Sequence, residues 1–133
     1  MTVHELSTKI KLAGLWTSLM ILYIYADIFS FYRPGVLGHI TEGFMGPLQA
    51  NQTNIAVAGL LMAIPALMIT FSLVWSSKVS KILNIAISIL YVFVNIANLI
   101  GESWIYYIFY GVIEILINLY IIYIAFKWKT SEK

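Results

Sequence analysis

Four long apolar stretches, each nearly free of charged residues, constrain this chain more than any other feature of its sequence. They run over about residues 12–32, 54–76, 80–100 and 103–127. A membrane-spanning helix needs about 20 mainly apolar residues, and only helices or closed barrels satisfy the backbone inside lipid. The sequence therefore predicts an all-α fold, an integral membrane antiparallel four-helix bundle that forms one transmembrane domain over residues 1–133.

The composition excludes several classes of protein. Charged residues make up 11% of the chain and hydrophobic residues 61%, whereas a soluble domain carries about 25% charged residues. The net charge of +2 and the scattered basic residues provide no groove for nucleic acid. Without cysteine the chain has no disulfide, thiolate metal site or cysteine nucleophile. His4 and His39 lie outside the apolar stretches and cannot ligate a haem within the membrane, so no cofactor and no metal site are predicted.

The basic residues predict how the helices are oriented. Cytoplasmic connections of membrane proteins carry an excess of Lys and Arg. Seven of the eight basic residues share one side of the predicted bundle: Lys9, Lys11, Lys78, Lys81, Lys127, Lys129 and Lys133. The opposite side has only Arg33. Both termini are therefore expected in the cytoplasm (N-in/C-in), as in a multi-pass protein of the cell inner (plasma) membrane.

The connection between the first two helices, the outer loop 33–53, is longer and more apolar than a solvated linker. It contains four glycines, two prolines and six large apolar side chains. We expect it to fold over the outer mouth of the bundle, with a short helix around residues 36–42. A loop that rests on lipid headgroups is the alternative interpretation.

Two acidic residues lie inside the predicted spans, Asp27 in the first helix and Glu114 in the fourth. An ionisable residue at membrane depth costs roughly 2.5–3.5 kcal/mol on insertion, so it usually faces the interior of a bundle. At about 1.5 Å of rise per residue, Asp27, Asn95 and Glu114 reach nearly one level, roughly 20–22 Å above the cytoplasmic edge. Two carboxylates close together in a low dielectric cannot both stay charged at low cost. Either one is protonated or a cation lies between them.

Polar residues recur along one face of the third helix at spacings of four and three residues: Asn84, Ser88, Tyr91, Asn95, Asn98 and Glu102. Inside a membrane such a face turns toward the bundle. There it either lines a wet cavity or bonds neighbouring helices together, and both interpretations remain open. The second helix instead carries small residues at helical spacing, which favour close helix packing: Ala56, Gly59, Ala63, Ala66 and Thr70.

Together these positions predict an acidic and polar pocket in the outer half of the bundle. The two carboxyls would exchange a proton against a ligand, and tyrosine rings would form walls with cation–π contacts available. The predicted pocket residues are Asp27, Glu114, Asn95, Asn98, Tyr23, Tyr91, Tyr107, Tyr110 and Asn118. No residue is assigned a catalytic role.

Several strings in the chain resemble those of a family of small bacterial four-helix membrane proteins catalogued as a domain of unknown function. The resemblance spans almost the whole chain. It rests on Leu15-Trp16-Thr17-Ser18, Tyr25-Ala26-Asp27, Phe31-Tyr32, Pro34-Gly35, Met45-Gly46-Pro47-Leu48, residues 61–68 and Gly111-Val112-Ile113-Glu114. It implies a bacterial inner-membrane protein and no particular activity. A looser likeness to sterol-isomerase-like and DoxX-like four-helix families is an analogy of fold alone.

Three functions are consistent with the sequence. The first is the binding or transport of a small cationic or amphipathic molecule with proton linkage, where transport by so small a chain would require a homodimer. The second is an intramembrane enzyme that acts on a lipid-like substrate through the carboxyl pair, ranked lower because no known catalytic motif is present. The third is a non-catalytic membrane subunit or assembly factor that uses the polar face as an interface. The expected partners are the lipid bilayer and a small molecule, proton or cation, and not nucleic acid.

Overall fold

Four long helices form the protein, whose structure is a computed structural model that describes residues 2–131. They are α1 (Val3–Ser30), α3 (Gln52–Val74), α4 (Ser77–Leu99) and α5 (Ile105–Lys127). Between α1 and α3 lie a short helix and a two-stranded antiparallel hairpin, which are α2 (Val36–Thr41), β1 (Phe44–Met45) and β2 (Leu48–Gln49). The predicted all-α four-helix arrangement is confirmed. Lys133, which contributed to the orientation prediction, lies outside the described residues.

The four long helices are long and apolar enough to cross a membrane, which indicates a multi-pass membrane protein. Their outward faces carry large apolar side chains, such as Phe93, Leu116 and Phe126, which are all exposed. Their inward faces carry polar side chains, such as Asn84 and Asn118, which are fully buried. Apolar residues on the outside and polar residues on the inside are the distribution expected of a bundle surrounded by lipid.

Helix α1 begins at Val3, well before the apolar stretch that starts at residue 12. The Thr2 hydroxyl accepts a hydrogen bond from Glu5 N, and the Glu5 carboxylate accepts one from Thr2 N, which is a capping box. Glu5 also accepts hydrogen bonds from the backbone N–H and the hydroxyl of Ser131, at 2.6 and 3.0 Å. The polar first turns of α1 therefore join the two ends of the described chain, and the helix is longer than its apolar part.

Lysines cap two helix C-termini at the end of the bundle where α1 begins and α5 ends, called here the lysine end. Lys9 donates to the Trp75 carbonyl after α3 at 2.8 Å, and Lys81 donates to the Trp128 carbonyl after α5 at 2.6 Å. The last carbonyls of a helix lack intrahelical partners and carry partial negative charge, so an ammonium group stabilises them. These lysines therefore have a structural role as well as a place in the charge asymmetry of the chain.

Helix α4 packs along α5, and α1 packs against both α3 and α5. Gly111 permits the close approach of α5 to α4, because a Cβ added at this position would lie 2.8 Å from Leu99 Cγ. The core between the helices is built around Leu12, Trp16 and Tyr91, which are fully buried. These contacts hold the polar faces of α4 and α5 toward α1 and α3.

Only some of the small residues of α3 pack within the chain. A Cβ added at Gly59 would meet nothing within 4 Å, and Ala56 and Thr70 are exposed. The buried face of α3 includes Pro65 and Met68 instead. Ala63 and Ala66, on either side of Pro65, are half-buried. Close packing through the small residues of α3 therefore stays a prediction.

Residues 33–50, called here the cap segment, lie at the opposite end of the bundle, called the cap end. Gly46 adopts a positive φ of 60°, which suits the turn between the two strands. The His39 ring stacks on Phe44 at 4.7 Å, and its Nε2 lies 2.8 Å from the Gly46 carbonyl oxygen. Met45 and Gly46 line a cavity between the long helices, so the cap segment covers the mouth of the bundle.

Glu102 does not extend the polar face of α4, because α4 ends at Leu99 and Gly101 turns the chain with a φ of 78°. The prediction that Glu102 belongs to that face is wrong. Its carboxylate instead accepts a hydrogen bond from the Trp104 N–H at 3.0 Å and forms an ion pair with Arg33 at 3.2 Å. Glu102 therefore binds the backbone that leads into α5 and ties this turn to the cap segment.

The Arg33 guanidinium is enclosed by this turn and by the first residues of α5. Its Nε donates to the Tyr106 hydroxyl at 2.8 Å. Its central carbon lies 5.0–5.3 Å from the ring centres of Trp104, Tyr106 and Tyr107, within the range of cation–π attraction. Arg33 therefore fastens the start of the cap segment to the α4–α5 turn.

The Glu102–Arg33 ion pair predicts a pH dependence of stability. Burial alone would raise the pKa of Glu102, but hydrogen bonds from Trp104 and Arg33 outweigh it and hold the pKa below its ordinary value of 4.5. A lowered folded pKa contributes stability that is present above the unfolded pKa and lost as the pH falls through the folded one. We expect wild type to melt above Glu102→Gln at neutral pH, and this difference to disappear as the pH falls below 4.5. Melting curves of both proteins in detergent measure this difference in melting temperature. An equal difference at every pH would contradict the ion pair.

Candidate functional site

A cavity of about 420 Å³ opens between the long helices at the cap end. This volume lies within the range of small-molecule pockets. All four long helices and the cap segment contribute to its wall. The wall comprises Tyr23, Ala26, Asp27, Met45, Gly46, Ala58, Leu61, Met62, Tyr91, Val94, Asn95, Asn98, Tyr107 and Glu114. We call this space the acidic cavity.

The structure brings seven of the nine predicted pocket residues to the wall of the acidic cavity. They are Tyr23, Asp27, Tyr91, Asn95, Asn98, Tyr107 and Glu114. Helical spacing accounts for the convergence, because residues three, four or seven positions apart lie on one face of a helix. The sequence offered no chemical signal for the remaining wall residues, which are small or apolar.

Tyr110 and Asn118 do not reach the wall of the acidic cavity. Tyr110 lies about 60° around α5 from Tyr107, and its ring packs 6.3 Å from that of Phe29 in a separate aromatic cleft. Asn118 lies one turn beyond Glu114 toward the lysine end, is fully buried, and donates to the Glu114 backbone carbonyl at 3.2 Å. The structure therefore places these two residues beside and beneath the predicted pocket rather than in its wall.

The carboxylates of Asp27 and Glu114 both line the acidic cavity. Glu114 is 6% exposed, and Asp27 is exposed where this cavity meets a second space beneath the cap segment. Neither carboxylate forms a hydrogen bond or an ion pair within residues 2–131. No lysine, arginine or histidine of that part of the chain lines the acidic cavity. Because a buried charge such as that of Glu114 is costly without a partner, this site favours a cation or protons.

An asparagine amide in the wall also lacks a partner. Tyr23 donates its hydroxyl proton to Asn95 Oδ1 at 3.1 Å. Asn95 is 2% exposed, and its Nδ2 has no hydrogen-bond partner among the described residues. A buried donor without a partner costs about 1–3 kcal/mol. The wall of the acidic cavity therefore holds a second buried polar group without a partner, besides the Glu114 carboxylate.

At the opposite end of the polar face of α4, the Asn84 side chain has its hydrogen bonds satisfied. Trp16 Nε1 donates to Asn84 Oδ1 at 2.7 Å, and Asn84 Nδ2 donates to Ser72 Oγ at 3.1 Å and to the Ser80 carbonyl at 2.8 Å. Asn84 is fully buried. The polar face therefore divides. Toward the lysine end it bonds helices together, and toward the cap end it lines a cavity.

Tyr91 has a structural contact that spacing on its own helix does not reveal. Its hydroxyl donates to the Leu61 backbone carbonyl of α3. Leu61 lies four residues before Pro65, which has no N–H, so this carbonyl has lost its ordinary intrahelical donor. Tyr91 thus supplies the missing hydrogen bond and fixes α4 against α3 at the level of the acidic cavity. A proline in an apolar helix with a tyrosine on another helix is the signal that could have revealed it.

A family model matches the chain over residues 1–133. The chain belongs to DUF6326, a family of unknown function. The resemblance to a domain of unknown function is thereby confirmed. No curated protein and no solved structure matches the chain significantly.

Membership of DUF6326 assigns no activity, so the function of this DUF6326 chain has to be inferred from its acidic cavity. Residues 2–131 contain no group of three or more His, Cys, Asp or Glu side chains placed to hold a metal ion. An organic cation needs negative charge and aromatic faces rather than a coordination shell. The acidic cavity of this chain offers both, through two carboxylates and three tyrosine rings.

Proposed function

We propose that this protein binds or transports a small organic cation in the acidic cavity, with proton linkage. It would do so as a multi-pass protein of the cell inner (plasma) membrane with both termini in the cytoplasm. One observation carries the proposal: Asp27 and Glu114 line one cavity that contains no cationic side chain of the described chain.

The electrostatics of the acidic cavity support a cationic occupant. Two unit charges 4 Å apart interact by about 4 kcal/mol at the effective dielectric typical of protein surfaces. A ligand cation between Asp27 and Glu114 would replace their mutual repulsion with attraction, and the rings of Tyr23, Tyr91 and Tyr107 would add cation–π contacts. Protons and the cation would compete for the same carboxylate oxygens. Binding of one would therefore release the other, which is the basis of the proposed proton linkage.

The two other functions find less support in the geometry. An intramembrane enzyme would use the carboxyl pair as acid and base. That role requires a substrate atom between the two carboxyls, and no feature of the cavity identifies such a substrate. A subunit or assembly factor would present the polar face of α4 to another protein. Asn84, Ser88 and Asn95 of this face are instead buried within the chain. Transport would further require a homodimer, because one bundle of four helices is small for alternating access.

Equilibrium binding of radiolabelled tetraethylammonium to the protein in lipid nanodiscs tests the proposal. We expect Asp27→Asn and Glu114→Gln each to weaken binding at least about tenfold, because each removes one of the two attractive charges. Glu42→Gln is the matched control, because Glu42 is an exposed carboxyl of the cap segment that lines neither cavity. Empty nanodiscs measure the partitioning of the probe into lipid.

The two cavity variants decide the outcome only if they remain folded, which their melting curves establish. Folded variants that bind as well as wild type would overturn the proposal. Equal losses in all three variants would do the same, because they would assign the effect to net charge rather than to the acidic cavity.

A further inference from the structure

A second and larger space lies between the cap segment and the long helices. Its volume is about 900 Å³, and we call it the cap cleft. Four residues line both the cap cleft and the acidic cavity: Asp27, Met45, Gly46 and Tyr107. The two spaces therefore adjoin at these four residues, one of which is the acidic Asp27.

The cap cleft is mainly apolar. The cap segment contributes Val36, Ile40 and Phe44, and α3 contributes Ile55. These side chains are not needed to complete the core between the helices, because the core cluster lies among other residues. Large apolar side chains around a sizeable space provide a favourable environment for the hydrocarbon part of a ligand.

The two basic residues of the cap cleft already have partners. Arg33 pairs with Glu102 at 3.2 Å. His39 Nε2 lies 2.8 Å from the Gly46 carbonyl oxygen, and its ring stacks on Phe44. Neither residue therefore needs an anionic group from a ligand. The charge that remains unpaired in the cap cleft and the acidic cavity is the negative charge of Asp27 and Glu114.

We infer that the cap cleft holds the apolar body of an amphipathic organic monocation whose charged head lies between Asp27 and Glu114. This inference rests on the proposed function and names its ligand class. Glu114 is more than nine-tenths buried without a hydrogen bond or ion pair, and the Asn95 amide of the same cavity wall also lacks a partner. A fatty acid would bring a second negative charge to the carboxylates. A zwitterion would require basic groups that are already engaged.

Binding of an alkyltrimethylammonium series to the protein in nanodiscs tests the inference, with tetramethylammonium, butyl-, hexyl- and octyltrimethylammonium as probes. Each buried methylene contributes about 0.8 kcal/mol, so we expect affinity to rise about fourfold per methylene beyond partitioning into empty nanodiscs. Ile40→Asn should flatten this rise without changing tetramethylammonium binding. Leu37→Asn is the matched control, because Leu37 is also exposed on α2 but does not line the cap cleft.

The outcomes separate this inference from the proposed function. Carboxyl-dependent tetramethylammonium binding without any rise along the series would overturn the cap cleft as a subsite and leave the proposed function in place. An equal rise in wild type and Ile40→Asn would also overturn it. No carboxyl-dependent binding of any member of the series or of tetraethylammonium would overturn both. Should Ile40→Asn fail to fold, Ile55→Asn on the opposite wall of the cap cleft makes the same test.

Discussion

Asn84→Leu is expected to lower the unfolding free energy by about 3 kcal/mol. Asn84 accepts the Trp16 indole proton and donates to Ser72 and to the Ser80 carbonyl. Leucine has a similar volume but leaves several buried polar groups without a partner, each at a cost of about 1–3 kcal/mol. Neither water nor lipid can replace these bonds at a fully buried site. Equilibrium unfolding in mixed micelles measures the loss.

Asn98→Leu is the matched control for this substitution. Asn98 lies on the same face of α4, but it is exposed in the acidic cavity and forms no hydrogen bond among the described residues. We expect its replacement to change stability by less than about 0.5 kcal/mol. A Trp16→Phe change should recover part of the Asn84→Leu loss, because it removes the orphaned indole donor. Equal losses in Asn84→Leu and Asn98→Leu would contradict the division of the polar face into a bonded half and a cavity half.

Helical periodicity is the reason that much of this site was predictable. Four apolar stretches define four helices, and polar residues three, four or seven positions apart tend to share a face. In a membrane the polar face turns inward. Asp27, Asn95 and Glu114 could therefore be assigned to one cavity on the basis of their spacing and depth alone.

Periodicity within one helix does not report the partners that other helices provide. Asn84 and Asn95 look alike on α4, yet Trp16 and Ser72 satisfy the first, whereas the second keeps a free amide group. Tyr110 has nearly the spacing of the cavity residues on α5 and was therefore predicted among them. It lies about 60° around the helix from Tyr107, which places it in another cleft. These distinctions depend on how the helices are rotated against one another, which is a property of the packed bundle.

The ends of the helices were also hard to predict from the sequence. Hydropathy marks the part of a helix that can lie in lipid, so it did not show that α1 begins at Val3 with a capping box. Glu102 continues the numerical spacing of α4, but Gly101 with its positive φ ends the helical register before it. A glycine shortly after an apolar helical stretch is a recognised stop signal. It outweighs periodicity at this position.

Tyr91→Phe is expected to lower the unfolding free energy by about 1–3 kcal/mol, and this loss should largely vanish in a chain that also carries Pro65→Ala. In wild type the Tyr91 hydroxyl is the donor for the Leu61 carbonyl, which Pro65 has left without its intrahelical partner. Phenylalanine keeps the ring against Trp16, 6.3 Å away, and removes only the donor. The Pro65→Ala change brings back the backbone N–H, so the hydroxyl is no longer needed.

A double-mutant cycle of Tyr91→Phe and Pro65→Ala measures this coupling directly. Tyr120→Phe controls for the loss of a tyrosine hydroxyl, because Tyr120 is exposed on the outer face of α5. Equal losses from Tyr91→Phe in the wild-type and Pro65→Ala backgrounds would show that the hydroxyl does not donate to the Leu61 carbonyl.

Coupling of the expected sign has a further use, because Tyr91 also lines the acidic cavity. In the Pro65→Ala background the hydroxyl can be removed from a stable protein, so any change in cation binding then reports on the cavity rather than on the fold.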